Sequence, residues 1–260
     1  MSAVFFDIDG TLWDEALFIP ESTRQAIQLL RKNGHQTLIC SGRTKGYIRS
    51  KELLSLGFDG IVSGAGNRIE LNGQVVFYRG LSREQIRRGM DAVQKYRYYP
   101  ILEGDEYLYL HEPDFAGNPY LAKMQGELGP YLLPLMAHWD QWDICKMTAL
   151  GRPDADPEGL QNALKDDYGI MCHNPFLMEL VPKGVDQGEG LKRACQMLGV
   201  PIEESVAFGD SMNDLQMIRA AGMGVVMGNG DERLKQEADL VTSPLWQDGI
   251  MVACHTLGLI

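Results

Sequence analysis

The sequence predicts an α/β protein with a parallel-sheet core, helices on both faces of that sheet and an inserted α+β domain. The first forty residues read as strand, helix and strand, and this βαβ unit implies a parallel sheet. The last third of the chain repeats the same alternation of helices and strands. The middle is richer in tyrosine and carries strand pairs that look antiparallel, which indicates a second domain within the first.

The first βαβ unit is marked by two short apolar runs. Ala3–Phe6 is apolar and β-prone, so it predicts a buried strand that ends at Asp7. Pro20-Glu21-Ser22 is a helix-start signal, and Gly34 ends the amphipathic stretch that follows it. Thr37–Cys40 predicts the second buried strand, which also runs into a polar loop.

The last third predicts two further strands, each preceded by a helix. Apolar residues at helical spacing run from Leu191 to Leu198, and Gly199 caps that helix. Ser205–Phe208 predicts a strand, a helix begins near Leu215, and Val225–Met227 predicts another strand.

The inserted domain is predicted over residues 82–181, between core segments 1–81 and 182–260. Its predicted helices are Arg83–Tyr96 and Pro157–Tyr168, and its predicted strands are Pro100–Glu103, Tyr107–His111, Ile144–Leu150 and Phe176–Val181. The stretch Glu112–Pro134, with many glycines and prolines, is expected to be the loosest part.

Composition narrows the function classes. The 260 residues are 45% hydrophobic, enough for a sizeable core, and the net charge of −11 repels phosphate backbones, so no nucleic-acid partner is expected. The five cysteines are scattered among apolar residues, which predicts buried free thiols in a reducing compartment. No signal peptide or membrane-spanning run is visible. We expect a cytoplasmic protein without a membrane partner, as a monomer or weak homodimer.

Carboxylates follow the predicted core strands. Asp7 and Asp9 come after the first strand, and Asp210 and Asp214 come after the strand Ser205–Phe208. Because the carboxyl ends of the strands in an open α/β sheet border one crevice, these loops can converge. Carboxylate oxygens suit Mg²⁺. Asp7 could attack a phosphorus atom to form an aspartyl-phosphate, with Asp9 as acid and base.

A plainer interpretation exists for each of these acids. A lone Asp-x-Asp after a strand is more often a turn, and Asp210 and Asp214 could be helix caps. Ser41-Gly42-Arg43 alone is only a loop. The coincidence of all the motifs at strand ends, in chain order, favours a site.

These motifs together resemble those of the haloacid dehalogenase-like hydrolases, in the form of the Cof-type phosphatases. Asp7-Ile8-Asp9-Gly10-Thr11-Leu12 is similar to the first motif of that family, and Ser41-Gly42-Arg43 to the second. Gly209-Asp210-Ser211-Met212-Asn213-Asp214 is similar to the fourth. The insertion between the second and third motifs resembles the large αβ cap of this group.

The resemblance implies a Rossmann-like core and a Mg²⁺-dependent phosphatase of small phosphorylated metabolites, typically sugar phosphates. It implies that Asp7 is the nucleophile and Asp9 the acid and base. It implies that Asp7, the backbone carbonyl of Asp9 and Asp210 hold Mg²⁺, with Asp214 supporting that site. It further implies that the phosphoryl group is bound by Ser41, the Gly42 amide and Asn213.

The third motif departs from the family at its lysine. Gln187 stands at that place in the frame Pro182-Lys183-Gly184-Val185-Asp186-Gln187-Gly188 and carries no charge. Three hypotheses follow: Lys183 or another lysine such as Lys45 supplies the charge, the enzyme works slowly or on an unusual substrate, or the chain binds a phosphate ligand with little turnover. A phosphomutase is a further alternative, since an aspartyl-phosphate can be passed to a second hydroxyl.

Two turns also depart from the family pattern. Ala65-Gly66-Asn67 replaces the usual Asn-Gly-Ala, and Gly230 replaces an alanine. A basic run near the second motif offers Arg43 as a possible substrate contact.

Cap residues that choose the substrate are harder to predict. Polar candidates in predicted loops are Asp105, His111, Asn118 and His173, and for each a solvated position is the commoner case. Lys146 alternates with apolar neighbours along a predicted strand, so we expect it on an exposed face.

Overall fold

The computed structural model describes all 260 residues, in fourteen strands and nine α-helices. The strands are β1 Ala3–Phe6, β2 Gln36–Cys40, β3 Gly60–Ser63, β4 Arg68–Leu71, β5 Gln74–Tyr78, β6 Tyr98–Gly104, β7 Leu108–Leu110, β8 Leu132–Pro134, β9 Ile144–Gly151, β10 Tyr168–Asn174, β11 Leu177–Pro182, β12 Ser205–Gly209, β13 Met223–Val226 and β14 Leu240–Val241. The helices are α1 Glu21–Lys32, α2 Lys51–Leu54, α3 Arg83–Lys95, α4 Pro119–Leu128, α5 Pro157–Leu164, α6 Gln187–Leu198, α7 Leu215–Ala220, α8 Glu232–Lys235 and α9 Gly249–Thr256.

The chain divides into two compact units. The core unit contains Met1–Gly42, Lys51–Phe77 and Asp186–Ile260, and the inserted unit contains Arg43–Ser50 and Tyr78–Val185. No sequence pattern had indicated that the short segment Arg43–Ser50 packs with the inserted unit. The domain limits read from the sequence, at residues 81 and 181, remain predictions.

The core unit is built on an eight-stranded sheet in the order β14-β13-β12-β1-β2-β3-β4-β5. The strands from β14 to β3 are parallel, and β4 pairs antiparallel with β3. β1 lies between β12 and β2, so that Phe5 is opposite both Ala207 and Leu38. Both faces of such a strand are covered, which explains why all four residues of β1 are apolar and buried.

Helices cover both faces of this sheet. On one face Leu191 and Ala194 of α6 join Phe5 and Leu38 in a single buried cluster, to which α7 contributes as well. α1 and α9 pack against each other, and α1 also contacts β2. Gly199 ends α6 in the left-handed conformation that the sequence predicts for it. The predicted fold class is confirmed.

The inserted unit has a six-stranded sheet in the order β10-β11-β9-β6-β7-β8. All neighbours in it are antiparallel except β7 and β8. α3 and α5 pack together, and residues of both helices join those of β6 and β9 in one hydrophobic cluster. The prediction of an α+β unit in this part of the chain is confirmed.

Several elements of the inserted unit differ from the sequence prediction. The helix expected to reach Tyr168 ends at Leu164, and Tyr168 instead begins β10, an unpredicted strand. The stretch expected to be loosest contains α4, which Asn118 caps by accepting a hydrogen bond from the Tyr120 amide at 2.9 Å. Met124 of α4 is completely buried in a hydrophobic cluster of the inserted unit.

The prediction that Lys146 lies on an exposed face is wrong. Its side chain is 3% exposed, and its ammonium lies 3.3 Å from Glu103 Oε1 and 2.7 Å from Glu179 Oε1. Thr148 donates a hydrogen bond to Glu103, and His173 Nε2 lies 3.4 Å from Glu179. Burial alone lowers the pKa of a lysine, but the two carboxylates raise that of Lys146 above its usual value. We call Glu103, Lys146 and Glu179 the charged triad.

All five cysteines are free, and four of them are buried as expected. Cys172, on β10, is the exception, because its thiol is exposed. No helix of the protein combines the length and the apolarity that crossing a bilayer requires.

Candidate active site

The site begins where β1 ends. The Asp7 amide donates to the Phe208 carbonyl at 2.9 Å, so this residue extends the ladder between β1 and β12 and its position is fixed. The chain then turns at Gly10, whose φ is +82°. A Cβ atom at this position would lie 2.2 Å from Asp210 Oδ2. Only glycine therefore allows the first acidic loop to approach the second so closely.

The second acidic loop follows β12, the neighbour of β1. Asp210 accepts a hydrogen bond from Thr11 Oγ1 at 3.0 Å, which ties the two loops together. Asp214 is completely buried, and its Oδ2 atom accepts hydrogen bonds from the amides of Asp210 (2.9 Å) and Ser211 (3.1 Å). The loop is thus folded around the Asp214 carboxylate.

Asp7, Asp210 and Asp214 form an acidic cluster. Each offers a carboxylate oxygen, and these oxygens all lie within 4.8 Å of one another. Three negative charges at this separation in a buried site are mutually destabilising unless protons or a cation neutralise them.

The pKa values of the acidic cluster reflect this crowding. Burial, followed by the charges of Asp214, Asp210 and Asp9, raises the pKa of Asp7 well above its usual range. Burial and the charge of Asp214 raise the pKa of Asp210 to about 7. Burial raises the pKa of Asp214 to about 6, although the hydrogen bonds it accepts act in the opposite direction.

The donor set of the acidic cluster fits a hard divalent cation. All its ligands are carboxylate oxygens, which Mg²⁺ prefers. Asp214 Oδ1 is buried and has no hydrogen-bond partner, an expensive state for a carboxylate oxygen in a metal-free site. Asp9 lies in the same loop as Asp7, with its side chain exposed to solvent and accepting a hydrogen bond from Trp13 Nε1 at 3.0 Å.

The predicted phosphoryl-binding residues follow neighbouring strands of the core sheet. Ser41 follows β2, which pairs with β1, and its amide donates to the Val62 carbonyl of β3 at 3.0 Å. Asn213 lies in the short 3₁₀ turn Met212–Asp214 and is exposed. β12, β1 and β2 are adjacent in the sheet, so the loops after them share one edge.

Gln187 is the first residue of α6 and is only 3% exposed. Its side-chain amide faces Asp214, whose pKa it helps to lower, while its Oε1 atom has no hydrogen-bond partner. Cys40, at the end of β2, approaches the Gln187 carbonyl with its thiol at 3.7 Å. The family's lysine position thus adjoins the acidic cluster, but without a positive charge.

The three cationic candidates from the sequence, Lys45, Lys183 and Arg43, belong to the inserted unit. Lys183 is exposed and directs its ammonium to the Asp166 carbonyl at 3.4 Å. Arg43 is buried, forms an ion pair with Glu127 at 2.6 Å and lies over the Tyr47 ring at 4.5 Å.

The polar candidates of the inserted unit have structural contacts of their own. His111 pairs with Asp114 at 3.2 Å, and Asn118 caps α4. His173 was expected in a loop but lies in β10, beside the charged triad. Asp105 is half-buried in the turn after β6.

Two residues to which the sequence reasoning assigned no role of their own hold the acidic loops in place. Thr11 bridges to Asp210, as described above. Asn229 donates from Nδ2 to the Gly10 carbonyl and accepts from the Leu245 amide, each at 2.8 Å. Gly230 follows it, and a Cβ atom there would lie 2.7 Å from the Asp210 carbonyl, which explains the glycine at this position.

This sheet edge, with its paired acidic loops after adjacent parallel strands, defines a hydrolase of the haloacid dehalogenase type. The model of that family, described as haloacid dehalogenase-like hydrolase, matches residues 4–253. The chain therefore belongs to the haloacid dehalogenase-like hydrolases, and the family resemblance read from the sequence is confirmed.

Individual relatives agree with this assignment along the whole chain. The Bacillus subtilis protein named "Putative phosphatase YkrA" is 30% identical over 258 residues, which are 99% of this chain and 98% of that protein. The 5-amino-6-(5-phospho-D-ribitylamino)uracil phosphatase YitU of the same organism is 24% identical, with 95% and 94% covered. The solved structure of BT4131, a subclass IIB sugar phosphatase, superposes with a TM-score of 0.85 at 26% identity, with both chains fully covered. The predicted enzyme class, a phosphatase, is confirmed.

Proposed function

We propose that this protein is a Mg²⁺-dependent phosphatase that removes phosphate from a small phosphorylated metabolite through an aspartyl-phosphate on Asp7. The observation that carries the proposal is the acidic cluster, with Asp7 held at the end of β1 and three carboxylate oxygens within 4.8 Å of one another. This arrangement supports a nucleophile beside a cation site.

Asp7 acts first in this mechanism. One of its carboxylate oxygens forms a bond to phosphorus while the bond from phosphorus to the ester oxygen breaks. Asp9, exposed in the same loop, donates a proton to the leaving alkoxide. In the second step Asp9 takes a proton from water, the resulting hydroxide attacks phosphorus, and Asp7 is released with inorganic phosphate.

Asp7 must be ionised to attack, and its surroundings oppose ionisation. Mg²⁺ held by Asp7 and Asp210 would favour the carboxylate form and offset its repulsion from the phosphate dianion. Ser41, the Gly42 amide and Asn213 would orient the phosphoryl oxygens, which stabilises the charge that develops on them.

The substrate class comes from the relatives. BT4131 is named a sugar phosphatase, and YitU a phosphatase of a phosphoribitylamino compound. Both names describe a phosphate carried on a polyhydroxylated carbon chain. We infer a substrate of this kind, and the phosphatase names favour turnover over ligand binding without turnover.

The test is the substitution Asp7→Asn, which removes the nucleophile with little change in volume. Phosphate release from a panel of sugar phosphates should require Mg²⁺ and cease with a chelator. We expect Asp7→Asn to lower kcat by at least about 10³-fold, as loss of a covalent nucleophile does in other hydrolases.

Glu15→Gln is the matched control, because Glu15 is an exposed carboxylate beyond the same loop. It should keep the wild-type rate. Turnover in Asp7→Asn at the rate of the control would overturn the role of Asp7, and absence of phosphate release from the whole panel would overturn the substrate class.

A further inference from the structure

The loop that carries Asp9 is held in place by hydrogen bonds to its backbone. Within the loop, the Gly10 amide donates to the Trp13 carbonyl at 2.8 Å, and the Trp13 amide donates to the Ile8 carbonyl at 3.2 Å. The Asn229 side chain holds the Gly10 carbonyl from outside the loop. Because the backbone is fixed in this way, the position of the Asp9 carboxylate is set by the rotation of its own side chain.

The Trp13 side chain contacts that carboxylate directly. Trp13 Nε1 donates a hydrogen bond to Asp9 Oδ1 at 3.0 Å. Trp13 is only 3% exposed, whereas Asp9 is exposed, so a buried donor constrains the rotation of an exposed carboxylate. The same bond satisfies the indole N–H, which buried tryptophans usually require, so a purely structural role is the alternative that an experiment has to separate.

The indole also distinguishes the two oxygens of the Asp9 carboxyl group, because an indole N–H can only donate. In the ionised form Oδ1 accepts from Nε1. In the acid form the carbonyl oxygen is the better acceptor, so Oδ1 keeps the indole bond and the proton is carried on Oδ2. Trp13 therefore gives the two oxygens of Asp9 different tasks.

We propose that Trp13 is a positioning residue for proton transfer by Asp9: its indole holds Oδ1, so that Oδ2 gives the proton to the leaving alkoxide and later takes one from water. The inference rests on the proposed function. A general acid contributes about 10²–10⁴-fold to the rate, and only when it lies within hydrogen-bond distance of the atom that it protonates. A residue that fixes the rotamer of the acid therefore affects the rate through Asp9, without acting on the substrate.

Leaving groups that differ in their need for a proton separate this role from a structural one. The sugar phosphate that is hydrolysed fastest releases an alkoxide, which must be protonated. 4-Nitrophenyl phosphate releases a stable phenolate, and acetyl phosphate, the substitute if the aryl ester does not react, releases acetate. We expect Trp13→Phe at saturating Mg²⁺ to lower kcat/KM about tenfold for the sugar phosphate and less than about twofold for the activated ester. Equal changes for both esters, including no change, overturn the proposal.

Two further variants isolate the N–H group from the packing of the ring. Site-specific replacement of Trp13 by 3-benzothienylalanine keeps both fused rings and puts sulfur in place of N–H, so it should change the two kcat/KM values as Trp13→Phe does. Leu12→Val creates a packing defect at a completely buried position of the same loop but keeps the indole, so it should retain the wild-type ratio of the two values. A wild-type ratio in the benzothienylalanine variant, or an altered ratio in Leu12→Val, assigns the effect to packing and overturns the proposal.

Crystal structures test the positioning without turnover. In the wild type with Mg²⁺, Asp9 should occupy one rotamer with Oδ1 bonded to Trp13 Nε1, and in the benzothienylalanine variant it should occupy a different rotamer or several. The wild-type rotamer in that variant overturns the proposal. Absence of phosphate release from every ester in the wild type counts against the proposed function, and the Asp9 rotamers then decide the positioning role by themselves.

Discussion

Asp210 gives the sharpest test of how the acidic cluster balances stability against function. Its pKa is raised to about 7 from an ordinary value of 3.8. The folded protein therefore binds more protons than the unfolded chain between about pH 4 and pH 7, and the free energy of unfolding of the metal-free protein falls as the pH rises through this window. A difference of about three pKa units corresponds to about 4 kcal/mol, shared with Asp214 because the two carboxyls titrate together.

The substitution Asp210→Asn removes this titration and one negative charge. In the presence of a chelator at about pH 7.5, we expect the variant to be more stable than the wild type by about 2–4 kcal/mol, and the two to converge near pH 4. Mg²⁺ should stabilise the wild type by mass action and leave the variant unchanged.

Urea unfolding followed by circular dichroism across that pH range measures both effects. The difference between variant and wild type cancels the titration of all other groups, and Glu15→Gln serves as the control for loss of an exposed carboxylate. If metal-free Asp210→Asn is less stable than the wild type at about pH 7.5, or if the difference does not change with pH, the electrostatic account of the acidic cluster is refuted.

Two further substitutions test burial and backbone geometry. Lys146→Met should lower the free energy of unfolding by about 3–5 kcal/mol in a urea titration, because it leaves the Glu103 carboxylate buried without a counter-charge and Glu179 with only the His173 imidazole. A loss below about 1 kcal/mol would show that the charged triad is solvated. Gly10→Ala should weaken Mg²⁺ binding measured calorimetrically, because its Cβ atom would displace the carboxylate that follows β12. Gly34→Ala is the control, because Gly34 has the same left-handed backbone but open space around it. It should lower the free energy of unfolding by only the backbone strain, about 1 kcal/mol, and keep the wild-type Mg²⁺ affinity. Equal Mg²⁺ affinity in both variants would contradict this reasoning.

The core unit was largely predictable because its central strands are buried on both faces. Ala3–Phe6 and Val206–Phe208 are uninterrupted apolar runs, which leave little choice of element or layer. The acids that follow them were therefore placed at one sheet edge from sequence alone.

Contacts between distant residues were not predictable in this way. Lys146 alternates with apolar neighbours in the manner of an exposed strand face, and only its partners on two other strands reveal that this face is buried. Thr11 and Asn229 stabilise the acidic loops through hydrogen bonds between opposite ends of the chain, for which no local pattern exists. α4 was missed because the glycines and prolines of the stretch Glu112–Pro134 suggested a loop, although Met124 and Leu128 of this helix are buried.

The distribution of the thiols has a practical consequence. Four of the five cysteines are enclosed, and burial raises the pKa of Cys145 and Cys254 to about 12, which suppresses the reactive thiolate at neutral pH. Cys172 alone is open to solvent, on β10 of the inserted unit. The natural sequence thus offers one addressable position on the inserted unit for a fluorophore or spin label, without engineering away any other cysteine.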